Sequence, residues 1–339
     1  VKARKRFFFE KKNQKTFVLA LTLLVCFARQ AFAIGFEIVA VPDPGNPPIE
    51  VGIWYPSDAP AHEEQLFLDS QTVAIHGAAS GQNLPLILMS HGQGGRFSNQ
   101  LDTAIALADA GFVAAALTHT GDNLHDQSRV TMIQDRPRQM RVVTDWMLRA
   151  WPDHARIDPA RIGAFGFSAG GFTVLVAAGG VPDMAALGPH CAQAPTEFTC
   201  ALIARNHVDL SKLPPIPAAA WVHDSRIRAA VVAAPALGFA FGQAGLAGVH
   251  IPIQLWRAED DHILPHPFYA QAVHDALPAP PDYHVVPNAD HLDFLTPCTA
   301  EKSKITPQIC ESLPGFDRAA FHATFNAAVV AFFKTHLVS

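Results

Sequence analysis

Charge is scarce in this sequence. Lys, Arg, Asp and Glu together make up 16% of its 339 residues. No stretch has the polar, repetitive composition that keeps a chain disordered, and 49% apolar residues are ample for a large core. Positive charge is scarcer still once the N-terminus is set aside. Residues 1–33 hold eight of the 25 Lys and Arg and one of the 30 Asp and Glu. The remainder therefore carries 17 basic and 29 acidic side chains, a formal charge of −12. Such a surface repels phosphate backbones, which argues against nucleic acid as a partner.

Long hydrophobic runs are missing at the N-terminus too. The apolar run Phe17 to Ala28 has twelve residues, against the roughly 20 that span a bilayer. Seven basic residues from Lys2 to Lys15 precede it, and Ala31-Phe32-Ala33 follows it. A basic segment, a short apolar run and small residues form the pattern of a secretory signal peptide. Residues 1–33 are expected to be that peptide, with 34–339 the mature domain. The product would be exported, to the periplasm or the medium, without stable membrane insertion. Cys26 follows Val25, where lipid attachment wants a small residue, so a lipoprotein is not expected.

Cysteine is also sparse. Outside the leader there are four: Cys191, Cys200, Cys298 and Cys310. Four thiols allow three pairings. The expected one is Cys191–Cys200 with Cys298–Cys310, since each pair lies within one loop-like segment. No CxxC pair is present to start a zinc site. His119, His125, His262 and His266 do not gather on one element, so no metal is expected.

Repeats and linkers are absent. Instead, strand-like and helix-like segments alternate, the signature of a mostly parallel sheet flanked by helices. Strands are expected at Ile49 to Trp54, Leu84 to Met89, Phe112 to Leu117, Ile162 to Phe165, Ile227 to Ala233, Ile251 to Trp256 and Tyr283 to Val286. Helices are expected at Leu101 to Ala110, Met140 to Ala150, Gly171 to Ala178 and Phe316 to Leu337. Residues 179–224 break the alternation. They hold six prolines and the first cysteine pair, and are expected to form a cap-like insertion over the site. The stretch Ala236 to Gly248, with Phe239 and Phe241, could line a pocket or simply pack.

Three segments carry chemistry. Gly166-Phe167-Ser168-Ala169-Gly170 is a GxSxG element between a strand and a helix. There the serine hydroxyl projects from a very tight turn, and the glycines avoid collisions. Ser168 is the expected nucleophile. Upstream, Ser90-His91-Gly92-Gln93-Gly94-Gly95 follows an apolar strand. Such a loop offers a backbone N–H to a developing oxyanion, and the expected donors are Gln93 and Ala169. His91 is read as a brace for this loop. Downstream, Glu259-Asp260-Asp261 follows one strand and Asp290-His291 follows the next. The expected base is His291. The expected acid is Asp261, with two residues between it and the aliphatic–proline pair Leu264-Pro265. Nucleophile, acid and base then run in the order Ser, Asp, His, which is that of the α/β-hydrolase fold.

Three stretches resemble a known family. They are Pro85-Leu-Ile-Leu-Met-Ser-His-Gly92, Asp158-Pro-Ala-Arg-Ile-Gly-Ala-Phe-Gly-Phe-Ser-Ala-Gly-Gly171 and Asp290-His-Leu-Asp-Phe-Leu-Thr-Pro-Cys298. Together they look like the bacterial predicted dienelactone hydrolase group, which is related to platelet-activating-factor acetylhydrolases. The resemblance runs from about Ile49 to Leu337. It implies a serine esterase of the α/β-hydrolase fold that acts on short-acyl or lactone-like esters as small-molecule substrates. Acyl transfer by Ser168, His291 and Asp261 requires no cofactor, so none is expected. Two features depart from the namesakes. Dienelactone hydrolases use a cysteine where Ser168 stands. The acetylhydrolases carry their acid after the strand matching Val231 to Leu237, which has no carboxylate here. A lipase, polyesterase or peptidase could use the same three residues. A non-catalytic protein on this fold is a further alternative.

Overall fold

In the computed structural model, residues 33–212 and 215–338 are described. The apolar runs become the inner strands of one ten-stranded sheet. In chain order the strands are β1 (Ala33–Val41), β2 (Ile49–Ser57), β3 (His62–Leu66), β4 (Asp69–Ile75), β5 (Leu84–Ser90), β6 (Val113–Thr118), β7 (Ile157–Phe167), β8 (Ile227–Ala233), β9 (Ile253–Ala258) and β10 (Asp282–Val286). Across the sheet they run β10-β9-β8-β7-β5-β6-β2-β1-β4-β3. The strands from β10 to β6 are mutually parallel, while β2 joins β6 and β1 antiparallel.

The helices are α1 (Leu101–Asp109), α2 (Asp135–Arg149), α3 (Ala169–Ala177), α4 (Leu187–Gln193), α5 (Phe198–Arg205), α6 (Gln243–Leu246), α7 (Ala270–Ala276), α8 (Ala300–Ile305), α9 (Pro307–Cys310) and α10 (Arg318–Leu337). All seven residues of the central strand β5 are buried, because both faces of the sheet are covered. Its Leu86 and Leu88 join one core with Met140 and Val143 of α2 and Phe172 of α3. Its Ile87 and Met89 join a second core with Leu107 of α1 and Phe325 and Phe333 of α10. Alternation along one strand thus feeds two helical layers. On α10, Phe321, Phe325 and Val329 repeat every four residues and form its buried stripe, and Asp317 caps it by accepting the Ala320 N–H.

All seven expected strands and four expected helices are present, with shifted ends except at β8, which spans the expected Ile227–Ala233. Helix α2 begins five residues before the expected Met140, because its first turns bury the polar Arg136 and Gln139. Strands β1, β3 and β4 have no counterpart in the sequence reading. The last two lie at the sheet edge and are rich in polar residues. The Gln71 amide of β4 accepts the Trp54 indole N–H at 2.8 Å.

The insertion at 179–224 holds α4 and α5, which Cys191–Cys200 staples together. Its ends are pinned: Val181 N–H donates to Gly245 and Asp224 N–H to Ala177. Cys298–Cys310 closes the segment containing α8. Both expected pairings are therefore present. The expected leader lies outside the described residues except for Ala33, which opens β1. Among the described residues no helix is long and apolar enough to cross a membrane.

Candidate active site

The tight turn after β7 is built as its glycines require. Ser168 has φ 56° and ψ −119°, a conformation that L-residues rarely hold. A Cβ at Gly166 would lie 2.1 Å from the Gly170 carbonyl oxygen, and one at Gly170 would lie 1.9 Å from that of Ser90. The turn is fastened by the Ser168 N–H to Ala233 at 2.9 Å, and the Ser168 carbonyl accepts the Ala236 N–H at 2.9 Å.

Strand ends bring three distant residues together. The Ser168 Oγ lies 3.0 Å from His291 Nε2, and His291 Nδ1 lies 2.8 Å from Asp261 Oδ2. The other Asp261 oxygen accepts the N–H groups of Ile263 at 3.0 Å and Leu264 at 2.6 Å. Asp261 is buried, whereas Glu259 and Asp260 are exposed. Of the three adjacent carboxylates, Asp261 is the one in contact with His291. The His291 ring also packs on Phe167, centroids 4.9 Å apart.

Gln93 and Ala169 line the same cleft as Ser168. Neither backbone N–H donates a hydrogen bond to another described residue. His91 braces its loop: Nδ1 donates to the Gly92 carbonyl at 2.5 Å, and Nε2 accepts the His119 N–H at 3.0 Å. Burial and then nearby Arg136 push its pKa well below the usual histidine value. His119 is lowered by burial, Arg136 and His91 in turn. Both rings are thus neutral parts of the scaffold.

Arg136 was not singled out by sequence reasoning, because it lies ahead of the helix expected from Met140, where an arginine reads as a solvated charge. It is 2% exposed. Its guanidinium pairs with Asp122 at 2.5 Å, donates to the His91 carbonyl, and reaches Thr173 Oγ1 at 3.1 Å. Asp122 in turn accepts the Gly94 N–H at 2.9 Å, and Thr173 Oγ1 donates to the Ala169 carbonyl at 2.8 Å. One cation therefore ties the Gln93 loop to the helix that carries Ala169.

Asp293, two residues beyond His291, was likewise missed. It is fully buried, accepts from Arg318 at 3.0 Å and holds the Asp290 N–H at 2.8 Å. Arg318 also donates to the carbonyls of Ile309 and Glu311, on either side of Cys310.

The cleft opens into a cavity of about 680 Å³. Its far wall is largely the 179–224 insertion, including Met184, Leu187, Phe198, Leu202 and Ile216. Of the stretch Ala236 to Gly248, Ala236 and Leu237 reach the cavity. Phe239 stacks on His190 at 3.7 Å, and Phe241 packs on Phe172. His190 and Tyr269 share Glu197, at 2.8 and 2.7 Å, so the insertion is anchored to the body of the protein. His262 meets Asp290, and no group of three or more metal-type side chains is present among the described residues.

The chain path recurs in a ferulic acid esterase from Streptomyces cinnamoneus. The TM-score is 0.60, with 92% of this chain and 91% of that chain covered at 20% identity. No protein-family model and no curated protein sequence matches the chain. With its mostly parallel sheet, flanking helices and strand-end turn at Ser168, the chain has the α/β-hydrolase fold.

Proposed function

We propose that the protein is a serine carboxylesterase acting through an acyl-enzyme. The observation that carries this reading is the continuous contact Ser168–His291–Asp261, in a cleft that Gln93 and Ala169 also line. Ser168 attacks the ester carbonyl while His291 Nε2 takes its proton. Asp261 fixes the tautomer with the proton on Nδ1 and stabilises the imidazolium. The N–H groups of Gln93 and Ala169 receive the negative oxygen of the tetrahedral intermediate, each worth roughly 2.7–4 kcal/mol in comparable sites. His291 then protonates the leaving alcohol. Water repeats the cycle on the acyl-enzyme and releases the acid. Every step is a proton transfer or acyl transfer that these residues complete without a cofactor. Short-acyl and lactone-like esters can be cleaved by this chemistry, and nothing in the reacting groups restricts it to them.

The test is hydrolysis of simple nitrophenyl esters by wild type and Ser168→Ala. The variant should fold normally and lose activity on the order of 10⁶-fold. Substantial turnover by the pure variant would overturn the nucleophile assignment. We propose further that residues 1–33 direct export and are removed. The two disulfides, which persist in oxidising compartments, support this. N-terminal sequencing of exported protein should begin at Ile34, and thiol titration should find none free. An intact leader or free thiols would refute it.

A further inference from the structure

We propose that this site takes neutral esters bearing an extended apolar arm, held beneath the 179–224 insertion. The inference rests on the esterase reading above and concerns which ester is preferred. A cavity of about 680 Å³ lies well inside the range, roughly 300–1,000 Å³, that buries most of a drug-sized ligand. An acetyl group would leave nearly all of it unused. Gln93, Ser168 and Ala169 mark the end where the carbonyl reacts. The space beyond them is walled mainly by apolar side chains.

Two of those side chains are informative. Phe198 and Leu202 stand four residues apart on α5, which puts them on one helix face, and both line the cavity. Both are only half-buried, and neither belongs to either hydrophobic core. Their apolar surface packs the fold little, so it is available to a ligand. Charge points the same way. Among the described residues no lysine or arginine lines the cavity, and the ionisable ones that do are Asp122 and Asp183. The buried cation that meets the lining residue Asp122 is Arg136, and it is already committed to that carboxylate. A carboxylate on the substrate would lose its hydration and meet no counter-charge.

Each methylene buried in such a pocket should raise kcat/KM about fourfold. The experiment compares two ester series with the full mature protein. One varies the acyl group: nitrophenyl acetate, butyrate and octanoate. The other varies the alcohol: ethyl, butyl and octyl acetate. A nitrophenyl half-ester of suberic acid, as long as octanoate but anionic, completes the set. We expect kcat/KM to rise at least about tenfold from short to long along one series, which tells whether the arm is acyl or alcohol. The half-ester should fall at least about tenfold below octanoate, and Leu202→Asp should flatten the preferred series. Flat or falling profiles in both series, or a half-ester as good as octanoate, would overturn the inference. If those flat rates still depend on Ser168, the esterase reading stands without it. If no ester exceeds the Ser168→Ala background, both fall together.

Discussion

Asp261 differs from Glu259 and Asp260 in one decisive respect: its side chain is buried against His291 while theirs face solvent. Asp261→Asn should therefore keep the fold but favour the wrong imidazole tautomer, a loss of up to ~10⁴ in kcat. Asp260→Asn and Glu259→Gln should be near neutral. Steady-state kinetics on the three variants checks this, and a crippled Asp260→Asn beside a silent Asp261→Asn would contradict it. Arg136 acts at one remove, as a positioning residue. Arg136→Lys keeps a positive charge for Asp122 but cannot reach the His91 carbonyl and Thr173 together. We expect kcat to fall roughly 10²-fold with KM little changed, because the oxyanion donors lose alignment rather than the substrate its pocket. A purely structural role would instead lower thermal stability with kcat per folded molecule unchanged. Ser168, His291 and Asp261 were legible because each follows a strand in a fixed order. Arg136 and Asp293 were not, since nothing in a linear pattern distinguishes a buried charged side chain from a solvated one.

At the level of elements, the loop after β5 depends on two neutral histidines. Their pKa values are depressed in the folded protein by burial and by Arg136. Unfolding therefore takes up protons below about pH 6.5, the ordinary histidine value. The stability these rings contribute is full above that pH and is lost as pH falls toward their folded-state values. Denaturation midpoints at pH 7 and pH 5 should show the decline, and His119→Gln should make it shallower. An identical slope in the variant would sink the assignment. The segment closed by Cys298–Cys310 begins just past His291 and is joined to Asp293 through Arg318. Replacing both cysteines by alanine should lower stability by about 3 kcal/mol and also reduce activity. Unaltered activity in folded variant protein would show that the loop is uncoupled from His291. Buried strands such as β5 and β6 were readable because both faces are covered, giving nearly unbroken apolar runs. The edge strands β3 and β4 carry little apolar signal, and their pairing with distant chain is what makes them strands.

For the whole molecule, a parallel sheet gathers the ends of β5, β7, β9 and β10 at one side, and the insertion roofs them. The alternation of strands and helices was enough to anticipate the architecture. The depth of the cavity was not, because it depends on where α4 and α5 settle over Ser168. The proposed activity and its ester preference turn on Ser168 being an activated nucleophile in that setting. Labelling the mature protein with a fluorophosphonate, followed by peptide mapping, tests this most directly. One phosphonyl group should be found on Ser168, none in Ser168→Ala, and labelling should be severely slowed in His291→Ala. No adduct on folded wild-type protein, or an adduct at another serine, would contradict it.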